Sequence, residues 1–223
     1  RGRVIIIPAL NYPAFRAGRR TSPIDGGNMN RVFPGKSDGT ITEMIAHYVT
    51  STVLPLCDAV VNIHAGGRTM YLSPCTVIHE LADKELMART QAVSKAFGTP
   101  ISLILVELDA SGMLDTAVEE AGKVFVLTEP GDGGSASVET ISTAEIGVRN
   151  ILCHFNMIDE VPVVRPSGTR VMRTLGEAYV PAMASGLYEI VAEVGAEVAA
   201  GDAIARIHFV DDAERAPLVH TAP

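Results

Sequence analysis

The sequence predicts an α/β fold in which a mostly parallel sheet is flanked by helices, followed by a small β domain. Three observations carry this expectation. Unbroken β-branched runs, such as R-V-I-I-I-P-A-L at residues 3–10, read as strands buried on both faces. Amphipathic helical periods separate these runs, which is the pattern of parallel strands joined by helices. The texture then changes after Ile158: V-P-V-V-R-P-S-G is a Pro-rich linker, and no long helical period follows it. The expected division is residues 1–160 for the α/β domain and 161–223 for the small β domain.

Taken in order, residues 3–10 are expected as the first buried strand. T-I-T-E at residues 40–43 is a capping box, with Glu43 three residues after Thr40, and it opens a helix over 40–56. Residues 58–64 (D-A-V-V-N-I-H) read as the next buried strand. Residues 83–97 form an amphipathic helix that stops at Gly98. A strand is expected at 102–107, a helix at 113–121 closed by Gly122, a strand at 123–128 (K-V-F-V-L-T) and a final helix at 140–155. From residue 170 onward, short strand-like runs are punctuated by Gly186, Gly195 and Gly201.

Bulk properties narrow the function. Hydrophobic content is 47% and mean hydropathy +0.24, enough for a sizeable core and against disorder. A net charge of −8 and a pI near 5.2 argue against a nucleic-acid or anionic-membrane surface. No apolar run approaches the roughly 20 residues of a membrane span. Cys57, Cys75 and Cys153 are odd in number, far apart and set among apolar residues. They read as buried thiols in a reducing, cytoplasmic setting, and not as a disulfide frame or a zinc knuckle.

Against that acidic background, residues 11–35 concentrate Arg16, Arg19, Arg20 and Arg31, with Asn28 and Asn30, in one Gly- and Pro-rich loop. Asn30 and Arg31 together offer an amide and a planar fork of donors suited to a carboxylate. A structural salt bridge is the plainer reading of Arg31, and at least one of Arg16, Arg19 and Arg20 is expected to be a solvated surface charge. His64 ends a strand just before Gly66-Gly67, where ligands of open α/β sheets gather and a backbone can approach one closely. A histidine bonded into its loop is the plainer reading there. Glu129 ends the strand K-V-F-V-L-T before P-G-D-G-G-S, a position suited to a general base that later acts as acid. A capping Glu competes with that role, as does Asp132 in the same loop.

Other motifs fail. His79-Glu80 starts an H-E-x-x-H pattern, but position 83 is Asp. No Ser sits in a G-x-S-x-G elbow, and G-D-G-G-S-A-S lacks the Lys of a phosphate-binding loop. The piece A-S-G-L-Y-E-I-V-A-E-V-G-A-E-V-A-A-G-D resembles the barrel-sandwich pattern of lipoyl and biotinyl carrier domains. A carrier needs a lysine there, and the four lysines are Lys36, Lys84, Lys95 and Lys123. A structural or lid role is expected instead.

The blocks N-Y-P-A-F, R-T-S-P-I-D-G-G-N-M-N-R-V-F-P-G, N-I-H-A-G-G and T-E-P-G-D-G-G resemble, in order, those of the succinylglutamate desuccinylase/aspartoacylase family. The resemblance extends over essentially the whole chain and is nearest to the bacterial branch that includes N-acetyl-diaminobutyrate deacetylases. It implies a mixed, carboxypeptidase-like α/β fold and a zinc-dependent deacylase of a small acidic N-acyl amino acid, with neither nucleic acid nor membrane as partner. A homo-oligomer is compatible with it. By that resemblance His64 is a zinc ligand, Glu129 the catalytic carboxylate and Arg20 the group that polarises the scissile carbonyl, while Asn30 and Arg31 hold the substrate's carboxylate. Asn28 and Asn62 depart from it, since the family usually has Asp at both positions. The family's H-x-x-E pair, which supplies two more ligands, belongs upstream of Arg1, so the chain is expected to be the downstream part of a longer protein, with its β domain also cut short. A zinc carboxypeptidase acting on peptides, or a non-catalytic module holding an acidic ligand, stay open as alternatives.

Overall fold

In β4, Val124–Glu129, the first three residues are buried almost completely, although their side chains point to alternate faces. A strand buried in this way must be central and covered on both sides. The computed structural model describes residues 2–67, 70, 72–106, 111–131, 135–174 and 178–223, and it has this arrangement. Val124 and Val126 join Ile78, Leu86, Met87, Val93, Phe97, Ile104 and Ile151 in one core. Phe125 turns the other way and joins Met29, Phe33, Ala46, Val49, Leu54, Leu114 and Val118 in a second core. Burying each such side chain contributes about 1.5–3 kcal/mol, so β4 is the strand whose displacement would cost most.

Among the described residues the larger sheet has the order β1-β4-β2-β3-β5, with β1 Ala59–Ile63, β2 Cys75–His79, β3 Ile101–Leu105 and β5 Arg170–Arg173. The pairs β1/β4, β2/β3 and β3/β5 are parallel; β2/β4 is antiparallel. The expected mixed, mostly parallel sheet is therefore present. A second, antiparallel sheet follows in the order β6-β7-β8, built from Leu187–Ile190, Ala203–His208 and Leu218–Thr221. No helix among the described residues is long and apolar enough to cross a membrane.

The helices follow their caps. Helix α1 is Tyr12–Ala17, capped by Asn11 and ended by Gly18 in the left-handed region. Helix α2, Ile41–Tyr48, has the full capping box of Thr40 and Glu43. It continues as a π turn over Val49–Val53 and a 3-10 turn over Leu54–Leu56, so helical backbone fills the expected stretch in three pieces. Thr50 and Ser51 donate their hydroxyls to the carbonyls of Ala46 and His47 at the first widened turn, the back-bonding that bends helices. Helix α3, Lys84–Phe97, is capped by Asp83 and closed by Gly98; α4 is Leu114–Glu120. Helix α5, Val138–His154, starts two residues earlier than expected because Ser137 supplies its cap.

Two expectations need correction. Residues 3–10 form no strand, and Ile6 is 78% exposed. A β-branched run has the capacity to pair, but here no described strand lies alongside it. Residues 58–64 do form β1, but half-buried, because β1 is an edge strand. Strand β2 and helix α1 were not anticipated: C-T-V-I-H is a short run between turns, and α1 is under two turns long. Strand β5 lies beyond residue 160 and pairs with β3. Glu107, the expected end of β3, lies outside the described residues.

Helix α5 crosses α3 at Gly147, where an added Cβ would stand 2.3 Å from the buried Phe97 ring. Gly147→Ala gains about 1 kcal/mol of helix propensity but overpacks the core by about 1–3 kcal/mol. A net loss is expected, seen as a lower urea midpoint with unchanged slope; an unchanged midpoint would show that the helices separate at no cost.

Candidate functional site

The parallel register of β1 on β4 pairs Ile63 with Thr128, which brings the next residues of both strands, His64 and Glu129, to one end of the sheet. The His64 N–H donates to the Thr128 carbonyl at 2.9 Å and fixes the backbone there. Nδ1 of His64 lies 3.6 Å from Oε1 of Glu129, within ion-pair range but longer than a hydrogen bond. The imidazole is 36% exposed and the carboxylate 14%. Glu129 Oε2 is buried and has no hydrogen-bond partner among the described residues, and neither does the neighbouring Thr128 hydroxyl. An orphaned carboxylate oxygen beside a half-exposed imidazole is costly unless a ligand or reaction uses it.

Two further side chains frame this pair. Asn62 precedes His64 by two residues on the same strand face, and its amide nitrogen is 3.1 Å from His64 Nε2. Cys75 lies opposite Glu129 in the antiparallel ladder. Burial, and then the Glu129 charge, push its thiol up to about 11, so it is an unreactive wall at neutral pH. The loops beyond are also close: Gly66 N–H reaches the Gly131 carbonyl at 3.4 Å. Asp132, the competing carboxylate, lies outside the described residues.

A catalytic zinc takes three protein ligands and keeps one position open. Among the described residues no three His, Cys, Asp or Glu side chains converge. His64 fits as one ligand, with an accessible imidazole beside a carboxylate that has an unpartnered oxygen, but the donor set among the described residues is incomplete.

The arginine loop is held by Asp25. Its carboxylate accepts from the Gly27 N–H at 2.9 Å, the Thr42 N–H at 2.7 Å and the Thr42 hydroxyl at 2.8 Å. Those bonds, led by the Thr42 and Gly27 N–H groups, hold Asp25 well below the usual carboxylate range. Asp25 thereby fastens the loop to the N-terminus of α2. Farther on, Asn28 caps a 3-10 turn over Met29–Arg31. Asn30 Oδ1 accepts from the Leu114 N–H at 2.8 Å, joining the loop to the start of α4. Arg31 is exposed and donates to the Asn30 carbonyl. Gly112 leaves no room for a side chain, since a Cβ there would lie 2.4 Å from the Arg31 carbonyl oxygen.

The structure thus brings His64 to Glu129, and Asn30 to Arg31. The side chains of Arg16, Arg19 and Arg20 are exposed and make no hydrogen bond or ion pair with any described residue; none links the side chain of Arg20 or Arg31 to the His64–Glu129 pair. Asp25 and Asn62 carry structural roles that the sequence reading did not assign. D-G-G is a side-chain turn signal, and the N-x-H spacing places both side chains on one strand face. His79 pairs instead with Glu119, at 2.9 Å, at the end of β2 away from Cys75.

Comparison with known proteins adds an independent line. Residues 1–155 match the family described as the succinylglutamate desuccinylase/aspartoacylase catalytic domain. The chain is 42% identical over 224 residues to the N-alpha-acetyl-L-2,4-diaminobutyric acid deacetylase of Halomonas elongata, covering 99% of this chain and 65% of that protein. The product-bound structure of the Ectoine utilization protein EutE (DoeB) from Ruegeria pomeroyi aligns with a TM-score of 0.90 at 44% identity. That alignment covers 97% of this chain and 66% of that one. A succinylglutamate desuccinylase structure from Silicibacter sp. TM1040 aligns with a TM-score of 0.89 at 44% identity, with the same coverage. The chain therefore spans just under two thirds of the length of these relatives.

Because the Asp25 carboxyl titrates lower folded than unfolded, its contribution is complete above the unfolded value, near 3.8, and disappears as pH falls toward the folded one. Asp25→Asn is expected to cost about 1 kcal/mol at neutral pH, the carboxylate being partly exposed. Urea titrations of both proteins should show that gap closing only below about pH 4; a gap independent of pH would remove the charge from the account.

Proposed function

The chain belongs to the succinylglutamate desuccinylase/aspartoacylase family, and from that premise we propose that the intact protein hydrolyses the amide bond of a small N-acyl amino acid. The observation that carries the reading is the orphaned Glu129 oxygen beside the half-exposed His64 at one sheet end. Zinc, held by His64 and by ligands outside the described residues, would supply a water of lowered pKa and a Lewis acid for the carbonyl.

The remaining steps belong to side chains of this chain. Glu129 takes the proton of the attacking water and later delivers it to the leaving amine; a partly shielded carboxylate with one unengaged oxygen suits both transfers. Arg20 is an exposed guanidinium with no described partner, available to stabilise the oxyanion of the tetrahedral state. Asn30 has its carbonyl oxygen committed to Leu114, which leaves its NH2 to face a ligand. That donor and the exposed Arg31 fork together suit the substrate carboxylate. The Halomonas relative's name makes N-acetyl-diaminobutyrate the first substrate to assay. Three free cysteines support a cytoplasmic setting as part of the same reading.

The test is made on the intact protein. Glu129→Gln should retain zinc and lose about 10²–10⁴ in turnover; turnover like wild type would remove Glu129 from the mechanism. His64→Ala should lower the zinc bound per chain, and unchanged stoichiometry would dismiss it as a ligand. A panel of N-acyl amino acids and C-terminal peptides should show hydrolysis of the former alone.

A further inference from the structure

We propose that Asn62 is a positioning residue that decides which nitrogen of His64 carries the proton, and that it can serve either tautomer in turn. The two side chains lie on one face of β1, and the amide is 3.1 Å from Nε2. The other ring nitrogen, Nδ1, faces Glu129 at 3.6 Å. A neutral imidazole has one N–H and one lone pair, whereas a carboxylate only accepts. With Nδ1 facing Glu129, the proton is favoured there, and Nε2 becomes the acceptor. The Asn62 amide nitrogen, the atom next to Nε2, then donates to it. The placement of the heavy atoms in the structure matches this arrangement.

An asparagine has a second option. Turning its amide by 180° presents Oδ1 in place of the NH2 group, at little cost in shape. The oxygen then accepts from an Nε2–H, and the lone pair is left on Nδ1, on the Glu129 side. Asn62 therefore satisfies His64 both when Nδ1 is protonated and when Nδ1 must bind a cation. A carboxylate at position 62 only accepts, so it would keep a proton on Nε2, as the neutral Nε2–H form or, with Glu129 facing Nδ1, as the imidazolium, and an aliphatic side chain would hold neither tautomer. The second half of this inference rests on the reading of His64 as a zinc ligand; the first half concerns the metal-free protein alone.

The experiment is imidazole 15N NMR of the intact protein, metal-free and zinc-loaded, with chelator competition for zinc affinity. The metal-free wild type should show the Nδ1–H tautomer at His64, and zinc should convert it to Nε2–H. Asn62→Asp should already carry a proton on Nε2 without metal. Asn62→Leu should weaken zinc binding about 10–100-fold, the usual effect of losing a partner of a metal-bound histidine, and Asn62→Asp should retain it. A metal-free wild type already in the Nε2–H form, an aspartate variant with the wild-type tautomer, or a folded leucine variant with wild-type zinc affinity would each overturn the proposal. Zinc that leaves both His64 nitrogen shifts unmoved would overturn the ligand reading, and with it only the second half.

Discussion

The parallel pairing of β1 with β4 is the constraint on which the candidate site depends. Two residues far apart in sequence, His64 and Glu129, meet because their strands run the same way and end at the same level. Register is unforgiving here: a slip of one residue would turn one of the two to the opposite face. The slip is prevented by burial more than by the hydrogen bonds of an edge strand. Val124 and Val126 lie in one core and Phe125 in the other, so sliding β4 would expose or invert all three at once.

The arginine loop is tied to the same strand by a longer route. Asp25 fastens it to α2 through Thr42, and Asn30 fastens it to α4 through Leu114. Residues of both helices, Ala46 and Leu114, share a core with Phe125 of β4. The polar contacts are individually modest, each about 1–2 kcal/mol, but they make the loop part of the folded body. The donors of Asn30 and Arg31 are consequently held relative to the sheet and not merely attached to a surface segment. Such preorganisation is what a site for a small anionic ligand requires.

Much of this could be read from the residues. Strands revealed themselves where β-branched runs ended in Gly or polar turns, as at β1 and β4, and helices where Thr40, Asp83 and Gly98 marked their ends. What escaped was set by partners and not by local composition. The apolar run at residues 3–10 looks as much like a strand as β4 does, but only neighbours decide whether such a run pairs. Strand β2 is weak locally and exists because β4 and β3 accept it on either side, one antiparallel and one parallel. At the site, His64 and Glu129 were visible as strand-end polar residues. The unpartnered Glu129 oxygen and the Asn62 contact were not, because both depend on which side chains the sheet places together.

The central claim is that His64 binds a metal while Glu129 stays free to move protons. Zinc-edge anomalous diffraction from crystals of the intact protein tests it most directly. The account predicts a single strong peak at bonding distance, about 2.0–2.1 Å, from a ring nitrogen of His64, with the Glu129 carboxylate nearby but outside that distance. A peak coordinated by Glu129 without His64, or a zinc ion bound elsewhere while His64 stays metal-free, would contradict it.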